Sequence, residues 1–212
     1  MAKAYDRVKW GFLRKVILTF GFSLEWVEWI WSCVTSPSFS VLLNGEPSKL
    51  FGASRGLCQD DPLSPYLLII MVEGLGRFIK HQVSHSLIHG WRWGNGFPTL
   101  SHLHFVDDTT LTGRARIQEA EAFRLTLDTY LAALGQKIND HKSSIYFFNT
   151  LESIQQRIAN ILRFQIESLP MTYLGIPIVL GTQPKIFWQN LLDKLRQKVN
   201  HGHISGSLLL AE

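Results

Sequence analysis

Two adjacent carboxylates between two short apolar segments constrain this chain most strongly. Asp107 and Asp108 lie between residues 99–106 and 109–113, and both flanking segments have the length and composition of β-strands. The pattern predicts a tight hairpin that carries the two carboxylates at its turn. Carboxylates this close repel each other, and a divalent cation such as Mg²⁺, which prefers oxygen ligands, relieves the repulsion. The pair is therefore a candidate metal site, and the alternative is an ordinary acidic hairpin turn at the surface.

The rest of the sequence predicts helices that alternate with short strands. Apolar residues at helical spacing, with caps at Asp6, Ser23 and Asp61 and a stop at Gly135, predict helices. These helices cover residues 7–20, 24–36, 62–79, 116–134, 151–162 and 184–200. Strands are predicted over 38–43 and 49–53 around an Asn44-Gly45 turn, and over 87–93, 143–148 and 171–177. This order predicts an α+β fold, with an antiparallel sheet backed by helices on one face.

Composition excludes several classes of protein. With 212 residues, 46% of them apolar and 18% charged, the chain has the composition of a globular domain, which excludes a disordered or low-complexity protein. The long charge-free stretch Trp29–Gly45 is too short and too polar to span a membrane. Met1–Lys15 carries no secretory signal. Cys33 and Cys58 are expected as free thiols in a reducing compartment, which indicates an intracellular protein of the nucleus or cytoplasm.

The charge distribution permits a nucleic-acid partner. The net charge is +4, and basic side chains concentrate in residues 1–20 and 185–200, at either end of a middle that contains the acidic pair. Such ends can bind phosphates, although two solvated helix faces would carry the same charges. Histidine pairs at His102 and His104 and at His201 and His203 are weaker candidates for a transition-metal site.

Four further segments matter because of their order along the chain. They are Lys3–Asp6, Ser54–Pro65, Gly135–Asn139 with Lys142 three residues on, and Tyr173–Pro177. Together with Phe105–Asp108 they resemble the motifs of reverse transcriptases from non-LTR (LINE-type) retrotransposons, most of all the plant versions. The resemblance covers residues 1–200. It implies a polymerase palm with an RRM-like antiparallel sheet over residues 1–178, and the start of a helical thumb over 179–212.

The resemblance also implies an activity and its chemistry. Members of this family are RNA-directed DNA polymerases that transfer nucleotides with two Mg²⁺ (or Mn²⁺) ions. An RNA template, a DNA primer and deoxynucleotides are the implied partners, with no membrane and no known protein partner. Asp107 and Asp108 would be catalytic and would hold the metal. Lys142 would approach the pyrophosphate leaving group as a candidate proton donor, and its alternative interpretation is a solvated loop lysine.

Five more residues acquire binding roles by the same resemblance. Tyr5 would contact the sugar and select deoxynucleotides, and Gln59 would lie along the nucleotide and the template. Tyr173, Leu174 and Gly175 would belong to the hairpin that steadies the primer. Without the resemblance, Tyr5 would be interpreted as an ordinary half-buried tyrosine.

The chain departs from the family pattern at three places. The family's first metal-binding Asp directly precedes the residue that is Met1 here, and its fingers lie further upstream, which predicts a fragment truncated at both ends. Cys58 and Asp60 replace an Arg and a Gly, while Val106 for Ala is a milder change. We therefore expect the isolated chain not to polymerise DNA. The alternative is a non-catalytic retroelement remnant that is inert or only binds nucleic acid.

Overall fold

The computed structural model describes residues 4–92, 94–106, 108–139, 142–178 and 186–200. The chain divides into two compact units. The first comprises residues 1–143 and 150–165, and the second comprises residues 144–149 and 166–212. The boundary between palm and thumb after residue 178 stays a prediction.

Helices form the core of the first unit. They are α1 (Trp10–Thr19), α2 (Leu24–Thr35), α3 (Ser64–Ser84), α4 (Ile117–Leu134) and α5 (Glu152–Leu162). The α3 helix is central, because it contacts both α1 and α4. Its buried residues Leu67, Met71, Leu75 and Ile79 recur every fourth position and form one apolar stripe. Each such side chain contributes about 1.5–3 kcal/mol on burial, so this stripe is a major source of the unit's stability.

Short strands complete the first unit. They are β1 (Ser38–Phe39), β2 (Leu42–Leu43), β3 (Glu46–Pro47), β4 (Phe51–Gly52), β5 (His102–Phe105) and β6 (Asp108–Leu111). They form the antiparallel pairs β1–β4, β2–β3 and β5–β6. Asn44 and Gly45, both with positive φ, form the predicted turn between β2 and β3. Helices and antiparallel strand pairs confirm the α+β class, and the RRM-like palm sheet stays a prediction.

The second unit contains β7 (Ser144–Tyr146), most of β8 (Gln165–Glu167), β9 (Met171–Tyr173), β10 (Ile176–Ile178) and α6 (Ile186–Asn200). The Ser144 hydroxyl and the Tyr146 phenol donate hydrogen bonds to the Glu167 carboxylate, at 2.5 and 2.6 Å. These bonds lower the pKa of Glu167 and raise that of Tyr146. β9 and β10 pair antiparallel, and β10 contacts α6.

One predicted helix start is wrong, and another is shifted by two residues. The first helix begins at Trp10 with Lys9 as its N-cap residue, so Asp6 does not cap it. Hydrogen bonds from the Gly56 amide to the Val8 carbonyl and from the Leu57 amide to the Tyr5 carbonyl hold the backbone before Lys9 outside the helix. The long helix begins at Ser64, two residues after the predicted start at Pro62, with Leu63 as the flanking residue. The Asp61 carboxylate accepts from the Leu63 amide at 2.9 Å, and the Asp61 carbonyl accepts from the Ser64 amide at 3.1 Å, so Asp61 leads the chain into the helix as expected.

The predicted strand over 87–93 is also wrong in its described part. There, only Trp91 pairs, through an isolated antiparallel bridge with Leu100. Gly90 precedes it at φ 64°, and a Cβ at Gly90 would lie 2.5 Å from the Leu100 carbonyl oxygen. The turn at Gly90 and its close approach to Leu100 interrupt the strand that was expected here. Each helix among the described residues is too short or too polar to cross a lipid bilayer.

Candidate functional site

Residues 4–9, which include the described part of the Lys3–Asp6 motif, lie against the loop that contains the Ser54–Pro65 motif. The Gly56 amide donates to the Val8 carbonyl at 2.8 Å, and the Leu57 amide donates to the Tyr5 carbonyl at 2.9 Å. Val8 and Leu57 are both buried. Two backbone hydrogen bonds therefore join residues 4–9 to the loop of the second motif.

The same residues 4–9 also contact the end of α4 and the Gly135–Asn139 motif that follows it. The Lys9 amide donates to the Leu134 carbonyl at 3.0 Å, and the Lys9 ammonium donates to the Ala132 carbonyl at 2.9 Å. The Gln136 side-chain amide donates to the Ala4 carbonyl across 132 residues of sequence, and both residues are buried. The structure thus brings three of the five motifs together at one junction.

Glycines permit this close approach from both sides. Gly56 has φ 92°, and a Cβ there would lie 2.9 Å from the Asp6 carbonyl oxygen. Gly135 has φ 84°, and a Cβ there would lie 2.7 Å from the Arg7 carbonyl oxygen. A side chain at either position would be strained by its backbone angle and would collide with the central segment. Close packing therefore accounts for glycine at positions 56 and 135, whether or not a ligand binds.

Basic residues occur on all three segments of the junction. Arg7 and Lys9 belong to the central segment, Arg55 precedes Gly56, and Lys137 follows the buried Gln136. Arg55, Lys9 and Lys137 are exposed. Positive charges on neighbouring exposed segments are suited to binding a phosphate backbone.

Tyr5 and Gln59 differ in how firmly the structure holds them. Tyr5 is partly buried and packs against a cluster formed by Ala4 with Leu68 and Val72 of α3. Its ring is therefore supported from the helix side. Gln59 is exposed in a turn ahead of α3. Contact of either residue with a nucleotide stays a prediction.

The predicted acidic hairpin is observed as β5 and β6. Phe105 pairs with Asp108, and Val106 directly follows Phe105 in the turn between the two strands. Asp107 itself lies outside the described residues. Val106 has φ 52°, in the left-handed region that β-branched residues rarely adopt, and it is 41% exposed. A strained, exposed turn next to Asp108 is the kind of geometry that functional sites retain.

Asp108 fits the metal that the family pattern implies. Its carboxylate is exposed at the start of β6, and carboxylate oxygens are the donors that Mg²⁺ takes. In the described part of the chain, no three His, Cys, Asp or Glu side chains group closely enough to hold a metal ion.

The rear of the hairpin packs on α3 through two histidines. A Cβ at Gly76 would lie 2.9 Å from Nε2 of His102 and 3.6 Å from Nε2 of His104, so both rings lie over this glycine. His104 Nδ1 lies 3.1 Å from the Thr109 hydroxyl, and His102 Nδ1 lies 2.9 Å from the Ser101 hydroxyl. His104 Nε2 is buried and finds no hydrogen-bond partner among the described residues.

This packing favours the neutral form of both imidazoles. Burial lowers the pKa of His104 to about 4, and His102 and Lys80 act in the same direction while Glu73 opposes them. Burial and Lys80 also lower the pKa of His102, again against Glu73. The ring centroids are 4.9 Å apart, so a charge on one ring would disfavour a charge on the other.

Sequence reasoning missed Glu119, which holds the base of the hairpin. Glu119 is 2% exposed, and its Oε1 accepts from the backbone amides of His89 at 2.9 Å and Arg114 at 3.0 Å. Its Oε2 lies 3.1 Å from Nδ1 of His89. One carboxylate thus joins the segment before β5 to the loop after β6. Its third position in α4, where glutamate often accepts from backbone amides, was the available signal.

Lys142 is exposed, and its amide donates to the Asn139 carbonyl at 3.0 Å. Tyr173, Leu174 and Gly175 lie in the second unit. Tyr173 pairs with Ile176, and Leu174 and Gly175 form the two-residue turn between β9 and β10, at φ 50° and 82°. The predicted hairpin is therefore observed, while the roles of these residues stay predictions.

Comparison with known proteins gives three findings. Residues 1–178 match the sequence profile of the family described as reverse transcriptase (RNA-dependent DNA polymerase). An uncharacterized mitochondrial protein of Arabidopsis thaliana is 34% identical over 110 residues, which cover 52% of this chain and 89% of that protein. The retrovirus-related Pol polyprotein of a type-2 retrotransposable element of Drosophila melanogaster is 25% identical over 142 residues. That match covers 67% of this chain and 13% of the polyprotein.

Proposed function

The chain belongs to the reverse transcriptase family, of the non-LTR retrotransposon type, and on that premise we propose that it is the palm of an RNA-directed DNA polymerase. One observation supports this proposal most. Residues 4–9 form hydrogen bonds both to Gly56 and Leu57 and to Leu134 and Gln136. Motifs that act on one nucleotide must be neighbours in space, and these are neighbours although they are far apart in sequence.

Asp107 and Asp108 are the residues that would hold the metal in this proposal. Mg²⁺ or Mn²⁺, when bound, supplies positive charge to the phosphates and lowers the pKa of the attacking hydroxyl. Lys142 would donate a proton to the departing pyrophosphate. The exposed Asp108 and the exposed Lys142 are both open to a ligand.

Tyr5 would select the sugar, because a ring backed by Leu68 and Val72 cannot move aside for a 2′-hydroxyl. Gln59, exposed ahead of α3, would contact the nucleotide and the template. The turn at Leu174 and Gly175, with Tyr173, would steady the DNA primer on its RNA template.

The α6 helix would begin the thumb. It carries Lys194 and Arg196, and Arg196 lies 3.4 Å from Asp193 in an exposed ion pair. Such pairs are weak, so both cations remain available to a phosphate backbone. We place the protein inside the cell, in the nucleus or the cytoplasm, where nucleic-acid partners and free thiols are expected.

The exposed pair Cys58 and Asp60 favours a second candidate, a non-catalytic remnant that is inert or only binds nucleic acid. Relative to the family's Arg and Gly, these residues remove one positive charge and add one negative charge on either side of Gln59. Both changes oppose a phosphate-rich ligand. We expect this chain alone to bind a primer–template weakly and not to extend it.

The experiment combines primer extension and binding. A DNA primer on an RNA template is offered with deoxynucleotides and Mg²⁺ or Mn²⁺, and binding is followed by fluorescence anisotropy over a range of salt concentrations. The double variant Cys58→Arg/Asp60→Gly adds two units of positive charge, and Glu121→Arg adds the same two units on the exposed side of α4. The palm proposal expects the first variant to bind several-fold more tightly than the second.

Each outcome has a defined meaning. Equal tightening by both variants contradicts a nucleotide site at Gln59. Extension by the wild-type chain that disappears in Asp107→Asn contradicts the expected inactivity and supports the palm. Salt-sensitive binding that is unaffected by Mg²⁺, by Asp107→Asn and by Asp108→Asn favours the binding-only remnant.

A further inference from the structure

Two histidines lie one helical turn apart at the carboxyl end of α3. His81 and His85 are both exposed, their ring centroids are 4.2 Å apart, and their planes are tilted by 34°. They lie outside the motifs that support the polymerase proposal. Their spacing of four residues puts both side chains on one face of the helix.

Hydrogen bonds determine which ring nitrogen of His85 is available. Its Nδ1 lies 2.9 Å from the His81 carbonyl oxygen, which can only accept, so Nδ1 carries the hydrogen. The Ser84 hydroxyl donates to the same carbonyl at 2.8 Å and lies 3.2 Å from Nδ1. The lone pair of the neutral ring is therefore on Nε2, and the backbone contact orients the ring as in many metal-binding histidines.

The position also suits a cation. The 21-residue α3 helix presents the negative end of its dipole here. Two imidazole nitrogens on one tetrahedral ion are separated by about 3.3 Å, given metal–nitrogen bonds of about 2.0–2.1 Å. The two ring centroids are 4.2 Å apart, which is close to that separation.

We propose that His81 and His85 together bind one divalent transition-metal ion of the Ni²⁺, Cu²⁺ and Zn²⁺ class. Imidazole suits these ions, whereas Mg²⁺ prefers oxygen ligands, so this site is separate from the one assigned to Asp107 and Asp108. No third His, Cys, Asp or Glu completes the set in the part of the chain that the structure describes, so water fills the remaining positions.

The test is calorimetric titration of the untagged full chain with NiCl₂. The parent chain for this test carries His201→Ala and His203→Ala, because that second histidine pair would also bind nickel. We expect one bound ion, and a loss of about tenfold or more in affinity for His81→Ala and for His85→Ala, since either change removes the chelate.

A composition-matched control is the double variant Gln82→His/His85→Gln. It keeps the number of histidines but puts them at adjacent positions, which point to different faces of a helix. This control should bind Ni²⁺ as weakly as the single variants do. Ni²⁺ should raise the melting temperature only of the parent chain, and not of the variants. Equal nickel affinity of the parent, the single variants and the control would overturn the proposal. Circular dichroism verifies that every variant keeps its helices.

Discussion

Acidification should destabilise the first unit through His104. The ring lies over Gly76 behind the acidic hairpin, its Nδ1 faces the Thr109 hydroxyl, and its Nε2 is buried without an acceptor among the described residues. Protonation would put a hydrogen on a nitrogen that has no acceptor, and would place a cation next to His102 and Lys80. The folded state therefore resists the proton that the unfolded chain takes up.

The size of the effect follows from the two pKa values. The imidazole titrates at 6.5 when unfolded and at about 4 when folded. Well above pH 6.5 this imidazole is neutral in both states and contributes no dependence on pH. Between pH 6.5 and 4 the unfolded state binds more protons, so the free energy of unfolding falls by about 1.4 kcal/mol per pH unit, and by about 3 kcal/mol at most in total. The lowered pKa of His102 acts in the same direction.

Urea denaturation followed by tryptophan fluorescence, at intervals from pH 7.5 to 4.5, measures this loss. Other groups also titrate in this range, so the informative quantity is the difference between the wild type and His104→Phe, which cannot titrate. The wild type should lose stability more steeply than the variant below pH 6.5. Parallel curves for the two proteins, or a wild type that gains stability on acidification, would refute the reasoning.

Three further predictions concern single positions. Glu119→Ala should lower the free energy of unfolding, measured by urea denaturation, by about 3 kcal/mol, because two backbone amides lose a charged acceptor. Its control, Glu121→Ala on the exposed side of the same helix, should change that free energy by less than about 0.5 kcal/mol. Val106→Asn should stabilise the protein by about 1 kcal/mol in the same assay, since asparagine tolerates a left-handed φ, and a loss of stability would contradict strain at this turn. Gly56→Ala should lower the melting temperature, with a loss of about 2 kcal/mol from its positive φ and its collision at 2.9 Å with the central segment. Gly11→Ala is its control, because nothing lies within 4 Å of a Cβ there, and it should stabilise α1 by about 0.8 kcal/mol.

Local patterns predicted most of the helices and turns. The helix over 116–134 was expected to stop at Gly135, and α4 ends at Leu134 with that glycine at φ 84°. The turn at Asn44 was likewise expected and observed. These features depend on residues close in sequence, whose spacing and backbone preferences are sufficient to specify them.

Features that depend on distant partners were predicted poorly. Asp6 looked like a helix cap, but the hydrogen bonds of residues 4–9 to Gly56 and Leu134 keep that segment outside α1. Glu119 is buried, and its carboxylate accepts from the backbone amides of His89 and Arg114. Neither outcome can be predicted from residues nearby in sequence, because the hydrogen-bond partners of these groups include residues that are distant in sequence.

The sequence by itself determined the family of this protein, since the order and spacing of its motifs match reverse transcriptases over residues 1–178. It also determined which residues are candidates for catalysis, Asp107 and Asp108 above all. Tertiary structure alone decided that residues 4–9 are hydrogen-bonded on both sides by other motifs, and that His104 is neutral behind the hairpin. The physical reason is that burial and long-range hydrogen bonds exist only once the helices have packed and water has been excluded.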